Sequence, residues 1–145
     1  MSQGIPSIKS VMTSFPFWIE DHAKLDQALG FMKEKGIHHL PVKKEGEVVG
    51  VITRRDIEKY QRFTSTEDTG GESTITDIYI RNPYIVDLDE LLDNVLLYMS
   101  THHIGSALVT KNGRLAGLFT TNDACRTFGE YLQEHFRPQN GDDAA

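Results

Sequence analysis

The feature that most constrains the fold of this chain is an internal repeat. When the 145-residue sequence is shifted by 67 positions, residues 8–63 align with residues 75–130 without a gap, and 13 of the 56 aligned positions are identical. Average composition gives only about three or four chance identities over that length. The sequence therefore predicts two copies of one structural unit.

The composition between and after the copies predicts the domain boundaries. Residues 64–73 are polar, include two glycines and carry no large apolar side chain, which is typical of a linker. Residues 137–145 read RPQNGDDAA and offer little to a core. We predict a first repeat over 5–63, a polar linker over 64–73, a second repeat over 74–136 and a disordered tail over 137–145.

The hydrophobic periodicity changes in the same order in both copies. A short β-branched and aromatic run predicts a strand at 17–19 and again at 84–86. Apolar residues at helical spacing then predict a helix in each copy, 23–35 and 90–102. Asp21 and Asp89 are the expected N-caps of these helices. Gly36 is placed to end the first helix, whereas His103 at the equivalent position is a poorer terminator.

Two more strands and a closing helix complete each copy. The strands are predicted at 40–43 and 48–52 in the first copy and at 107–110 and 115–119 in the second. Turns at Glu45-Gly46 and Asn112-Gly113 join them, and Asn-Gly is a strong hairpin signal. Each unit therefore reads strand, helix, strand, strand, helix, which is an α/β (α+β) fold.

Composition and charge exclude several classes of function. The formal charge of −6 and pI near 5.4 oppose binding to a nucleic acid polymer, although two or three local cations can still hold one phosphate. Cys125 is the sole cysteine, so an intrachain disulfide is excluded, and we expect a buried, inert thiol. The sequence has no apolar run near the ~20 residues of a membrane span, and we expect a cytoplasmic protein without membrane insertion.

Two motifs in each copy resemble those of the CBS domain family. They are GIHHLPV (36–42) and GVITRRD (50–56), matched by IGSALV (104–109) and GLFTTND (117–123). The resemblance covers roughly residues 5–136 and implies a stand-alone pair of CBS domains, or Bateman module, whose repeats are related by a pseudo-twofold axis. Such pairs often dimerise into a flat disc of four CBS units, so a homodimer is expected.

The resemblance also implies a function. CBS pairs are non-catalytic regulatory modules in which AMP, ADP, ATP or S-adenosylmethionine binds in clefts between the repeats, so no enzymatic activity and no required cofactor are expected. The bound ligand would act by conformational change on a partner, here a separate enzyme or transporter. A second hypothesis is a protein-interaction or scaffold module with empty or vestigial clefts. The sequence leaves the ligand, the partner and the dimer orientation open.

A Thr-x-x-Asp pair opens the closing helix of each copy, at Thr53/Asp56 and at Thr120/Asp123. A threonine hydroxyl and the free N–H groups of a helix N-terminus can bind a phosphate, and an aspartate can accept from both ribose hydroxyls. The same spacing is also an ordinary capping box, which stabilises a helix by about 1 kcal/mol without any ligand. Both readings can hold together.

The cations around these pairs are unevenly distributed. The first copy carries Arg54, Arg55, His38 and His39, where the second copy has Thr121, Asn122, Gly105 and Ser106. We therefore predict that the Asp56 cleft holds a phosphorylated ligand more tightly, unless the fold carries these cations to the other cleft. Neighbouring strand residues point to opposite faces, so we predict no metal site at the His38-His39 and His102-His103 pairs. The resemblance further implies an apolar adenine slot from Phe17, Ile19, Ile37, Tyr84, Val86 and Ile104.

Overall fold

The computed structural model describes residues 4–64 and 73–137 of the chain. Most of the predicted linker (65–72) and nearly all of the predicted tail (138–145) lie outside the described residues. The first repeat comprises β1 (Thr13–Ser14), β2 (Ile19–Glu20), α1 (Leu25–Lys35), β3 (His39–Lys44), β4 (Glu47–Thr53) and α2 (Arg54–Phe63). The second comprises β5 (Ile85–Asp87), α3 (Leu92–His102), β6 (Ser106–Lys111), β7 (Arg114–Thr120) and α4 (Thr121–Phe136).

The predicted order of strand, helix, strand, strand, helix is confirmed in both repeats. Leaving aside the two-residue β1, β2 runs parallel to β3 with α1 as the crossover, and β3 pairs antiparallel with β4. In the second repeat β5 runs parallel to β6 with α3 as the crossover, and β6 pairs antiparallel with β7. One sheet has the order β2-β3-β4 and the other β1-β7-β6-β5. The turns at Glu45-Gly46 and Asn112-Gly113 have positive φ at both central residues, the geometry that hairpin turns of this length favour.

Each sheet buries one face against its helices, which produces one apolar core per repeat. The helices contribute residues at i, i+3 and i+7, namely Leu25, Ala28 and Met32 from α1 and Leu92, Val95 and Met99 from α3. A third, smaller cluster of Val51, Leu108 and Leu118 lies between the repeats. The two sheets therefore meet through β4 and β7.

The two repeats exchange their leading segments, residues 6–14 and 73–81. β1 of the first repeat pairs antiparallel with β7 of the second. In the equivalent arrangement, Ile80 of the second repeat bridges to Val51 on β4, with N–H to O distances of 2.8 and 3.1 Å. Ile8 is fully buried in the core of the second repeat, and Ile75 is fully buried in the core of the first. Each core is therefore completed by the other repeat.

This exchange explains why the predicted N-caps are wrong. Helices α1 and α3 begin at Leu25 and Leu92, two residues later than predicted, and neither Asp21 nor Asp89 caps them. Backbone oxygens of the exchanged segments accept the first N–H groups at 2.8 Å instead, Ser73 for Leu25 and Pro6 for Leu92. A free helix N–H needs an acceptor, and here that acceptor is main chain.

The C-terminal ends of α1 and α3 share one geometry despite their different residues. Gly36 ends α1 in the left-handed region with φ of 67°, as predicted. His103 ends α3 in the same region with φ of 54°. The second repeat therefore keeps the left-handed terminator at a non-glycine residue, at some cost in backbone strain.

Candidate ligand cleft

A cleft of about 940 Å³ opens where the closing helices of the two repeats begin. It combines residues of both repeats because the pseudo-twofold axis brings the ends of β4 and β7 together. Of the fourteen residues predicted from the sequence to contact a ligand, eight line it: Phe17, Ile37, His38, His39, Thr53, Arg55, Thr120 and Asp123.

The Thr120/Asp123 pair forms the polar floor of the cleft. The Thr120 N–H donates to Asp123 Oδ2 at 2.9 Å, and the Thr120 hydroxyl lies 3.3 Å from the same oxygen. Asp123 is buried, and its Oδ1 accepts from Arg126 Nη1 at 3.0 Å. Arg126 also donates to Val11 O of the exchanged segment at 3.0 Å. The carboxylate is thus fixed in place and held by a cation, and one lone pair of Oδ1 is left for a further donor.

The Thr53/Asp56 pair forms a complete capping box. The Thr53 hydroxyl accepts the Asp56 N–H at 3.0 Å, and Asp56 Oδ2 accepts the Thr53 N–H at 3.1 Å. The capping reading of Thr-x-x-Asp is therefore correct for this helix, and it leaves the ligand-binding reading open because the second carboxylate oxygen is not needed for the cap.

Three of the four basic side chains that the first repeat carries around its Thr-x-x-Asp pair, all except Arg54, lie in the cleft that contains Asp123. Arg55, His38 and His39 line it together with Thr120 and Asp123, and Arg55 has no hydrogen-bond or ion-pair partner within residues 4–64 and 73–137. The sequence predicted tighter phosphate binding at Asp56 unless the fold carried the first-repeat cations to the other cleft. The fold does bring Arg55, His38 and His39 to the Thr120/Asp123 motif, so this exception applies.

His39 is half-buried and lies against Gly105 of the second repeat. Burial lowers the pKa of His39, and neighbouring His38 lowers it further, whereas the carboxylates of Asp56 and Asp123 act in the opposite direction. His39 therefore senses both aspartates. It is predominantly neutral near pH 7, so Arg55 is the permanent positive charge of the cleft.

Six predicted site residues do not line this cleft, and two of them, Ile19 and Val86, are buried in the cores of the repeats instead. The other four are Arg54, Asp56, Tyr84 and Ile104. They are the repeat counterparts of Thr121, Asp123, Phe17 and Ile37, all of which do. By the pseudo-symmetry, these four residues therefore belong to the equivalent region on the opposite side of the pseudo-twofold axis. Arg54 there pairs with Glu58 at 3.2 Å, and the Tyr84 ring stacks on Tyr98 with centroids 4.1 Å apart.

Sequence reasoning missed several lining residues, of which Phe15 is the most unusual. Its side chain is 91% exposed, and its backbone has φ of 50°, a region that bulky residues rarely adopt. No sequence signal predicted this, because a residue before proline is expected to be extended. Leu118, Thr121 and Asn122 complete the same rim.

Two further sequence expectations concern reactive side chains away from the cleft. Cys125 is exposed, so the expectation of a buried thiol is wrong: its position on α4 faces away from the core. Within the described ranges, one group of metal-ligating side chains comes together, at Glu20, Asp21 and His22, with ligand atoms within 4.8 Å of one another. Lys44 lines the same surface pocket, and its charge opposes a cation there.

Comparison with known proteins places this geometry in context. The family model of the CBS domain matches residues 8–62 and 75–130. An uncharacterized 33.4 kDa protein in the ribosomal RNA operon of Thermofilum pendens is 28% identical over 127 residues, which cover 80% of this chain and 41% of that protein. Protein YlbB of Bacillus subtilis is 31% identical over 118 residues, which cover 80% of this chain and 78% of that protein. The chain thus spans less than half of the first relative.

Solved structures of similar fold include the CBS domain pair of protein MJ0100 in complex with 5′-methylthioadenosine and S-adenosyl-L-methionine. It is 28% identical, has a TM-score of 0.78, and the match covers 88% of this chain and 99% of that one. In the part of the chain that the structure describes, no helix is both long and apolar enough to cross a bilayer. Because the two matched segments make up more than half of the sequence and coincide with the two repeats, the chain belongs to the CBS domain family.

Proposed function

We propose that this chain is a regulatory module that binds an adenine nucleotide in the cleft between the repeats, with the phosphorylated ligand at Asp123. The observation that carries the proposal is the meeting of the second-repeat Thr120/Asp123 pair with Arg55, His38 and His39 of the first repeat. A carboxylate suited to a ribose thus lines one cleft with an arginine suited to a phosphate and with two histidines.

Each polar group has a role that its chemistry supports. Asp123, buried and held by Arg126, accepts a ribose hydroxyl with its remaining Oδ1 lone pair. Arg55 is free of other partners in the described chain and can donate two hydrogen bonds to a phosphate. Thr120 adds a hydroxyl at the start of α4, where the helix dipole favours an anion.

A second, weaker cleft is proposed around Asp56, Tyr84 and Ile104. Arg54 is already paired with Glu58, and the repeat counterparts of His38 and His39 are Gly105 and Ser106, which carry no charge. An adenosyl ligand without phosphate suits such a cleft better than a nucleotide does. The MJ0100 pair is a precedent, because both of its ligands are unphosphorylated adenosyl compounds.

The experiment is isothermal titration with AMP, ADP, ATP and S-adenosylmethionine, preceded by a thermal-shift screen. A ligand at 100 times its dissociation constant stabilises the fold by about 2.7 kcal/mol, roughly 5–10 °C for a chain of this size. Loss of a charge-assisted contact should weaken AMP binding roughly 10- to 100-fold in Asp123→Asn, and less in Asp56→Asn. Equal losses in the two variants would contradict the assignment of the nucleotide to Asp123.

Arg55→Gln separates the phosphate from the rest of the ligand. It should weaken AMP binding roughly tenfold or more while leaving adenosine binding unchanged. No thermal shift with any of the four ligands would favour the alternative, a scaffold module with vestigial clefts. Retained binding of AMP at wild-type strength in Arg55→Gln would remove the phosphate contact from the proposal.

The ligand is proposed to act through a homodimer and on a separate partner. The exposed apolar side chains of α4, 40–74% accessible, support self-association: Phe128, Tyr131, Leu132 and Phe136. Sedimentation velocity of Leu132→Glu against wild type tests this point. The regulated enzyme or transporter, the absence of catalysis by the module itself and a cytoplasmic location stay predictions.

A further inference from the structure

Phe15 combines three properties that are rarely found together. It is an aromatic residue with a left-handed backbone (φ 50°), it is followed by Pro16, and its ring is 91% exposed at the rim of the ligand cleft. A bulky residue in this region is strained, and the residue before a proline is normally extended. Burial gives the ring no compensating stability, so its conformation gains nothing from packing within the described chain.

The position of Phe15 is fixed by the exchanged segment. β1 pairs with β7, and the Phe15 N–H donates to Ala116 O at 3.2 Å immediately after that pairing. Thr120 lies four residues further along β7, about 13 Å away at about 3.4 Å per residue. Phe15 and Thr120 are thus held by the same strand, Phe15 through its hydrogen bond to Ala116 and Thr120 as the last residue of β7.

The residues that line the cleft are partly apolar and partly polar. The apolar lining comprises Phe15, Pro16 and Phe17 of the first repeat and Leu118 of the second. The same cleft is also lined by the polar Thr120/Asp123 pair. The cleft thus has both an apolar and a polar lining, as a ligand with a flat base and a polar sugar phosphate requires.

We infer that Phe15 is the base-recognising residue of the Asp123 cleft and stacks on the purine face of the bound nucleotide. This inference rests on the proposed function and adds to it the residue that selects an aromatic base. The repeat counterpart of Phe15 is Asn82, so the second cleft lacks the equivalent ring. The contrast between the two clefts at this position is therefore between an aromatic ring and an amide.

The test uses Phe15→Asn, which copies the second repeat and suits a left-handed backbone. Stacking of a base on an aromatic side chain predicts a roughly 5- to 150-fold weaker affinity for AMP in this variant. Affinity for ribose 5-phosphate, which has no base, should stay within about twofold of wild type. Phe15→Trp should retain AMP binding, and Phe63→Asn removes an equally exposed aromatic ring outside the cleft as a control.

The thermal midpoint of ligand-free Phe15→Asn distinguishes recognition from a structural role. Because the ring is exposed and the backbone strained, the midpoint should be unchanged or higher; a clear decrease would show that the ring stabilises the fold and overturn the inference. Equal AMP affinity in wild type and Phe15→Asn would overturn it while leaving the proposed function intact. Failure of the wild-type chain to bind any adenine nucleotide would instead overturn the proposed function, and the inference with it.

Discussion

Gly50 is where the exchange of leading segments leaves no room for a side chain. A Cβ at this position would meet the carbonyl oxygen of Ile80 and the ring of Tyr79, both from the exchanged segment of the second repeat. At the repeat-equivalent Gly117, the three atoms nearest to such a Cβ are Sδ, Cε and Cγ of the flexible Met12 side chain. Main chain cannot move aside as a thioether can, so Gly50→Ala should be much more destabilising than Gly117→Ala.

The magnitude follows from what must move. Overpacking a core costs about 1–3 kcal/mol, and the two hydrogen bonds between Ile80 and Val51 add about 1 kcal/mol each if the displacement breaks them. Replacing glycine by alanine within a strand returns about 0.5–1 kcal/mol. Gly50→Ala should therefore lower the free energy of unfolding by about 2–4 kcal/mol. Gly117→Ala pays only a strained methionine rotamer, about 0.5–1.5 kcal/mol, and should be close to neutral.

Guanidinium denaturation followed by far-UV circular dichroism and by Trp18 fluorescence measures both effects. Gly129→Ala is the matched control, because a Cβ there meets nothing within 4 Å and alanine is the better helix former by about 1 kcal/mol. It should raise the denaturation midpoint. Equal midpoints for Gly50→Ala and Gly117→Ala would refute the exchange of Ile80 across β4, since the contrast depends on main chain lying over one glycine alone.

Three further predictions concern single side chains. The pKa of His39 in the folded chain lies below its ordinary 6.5, so between these two pKa values the folded chain binds fewer protons than the unfolded chain. The free energy of unfolding should therefore fall as the pH drops from 6.5 to the folded pKa. His39→Gln should flatten this part of a stability-versus-pH profile measured by urea denaturation. Thr53→Ala removes the acceptor of the Asp56 N–H and should cost about 1 kcal/mol by the same assay; an unchanged midpoint would mean that the cap contributes nothing. Cys125 should react with Ellman's reagent in the folded protein nearly as fast as in denaturant, and a protected thiol would contradict its exposure.

The elements of each repeat were predictable because their signals are local. Helical spacing of Leu25 and Met32, and the glycine turns between strands, depend on residues close in sequence. The helix starts were not, since Leu25 and Leu92 donate to main-chain oxygens of the other repeat. Any residue can supply a backbone oxygen as acceptor, so the sequence does not show where such an acceptor lies. Asp21 was therefore the plausible but wrong N-cap.

The residues of the cleft were likewise predictable only where their signal is local in the sequence. Thr120 and Asp123 were predictable because a motif of fixed spacing carries them. The placement of Arg55 beside them depends on how the pseudo-twofold axis superposes the ends of β4 and β7, which no single-repeat pattern contains. Phe15 was missed for a stronger reason: its position before proline predicts an extended backbone, the opposite of the observed conformation.

The exchange of segments limits how a ligand can act on this module. Separating the repeats would expose Ile8 and Ile75, each fully buried in the other repeat's core, at a cost of about 1.5–3 kcal/mol for each side chain. The coupling free energy between a ligand site and a second site is typically about 1–3 kcal/mol, less than the two together. Residues 15–18 lie between β1 and β2 and carry three exposed aromatic rings. A conformational response of the kind proposed would therefore be confined to that stretch, with the exchanged cores left intact.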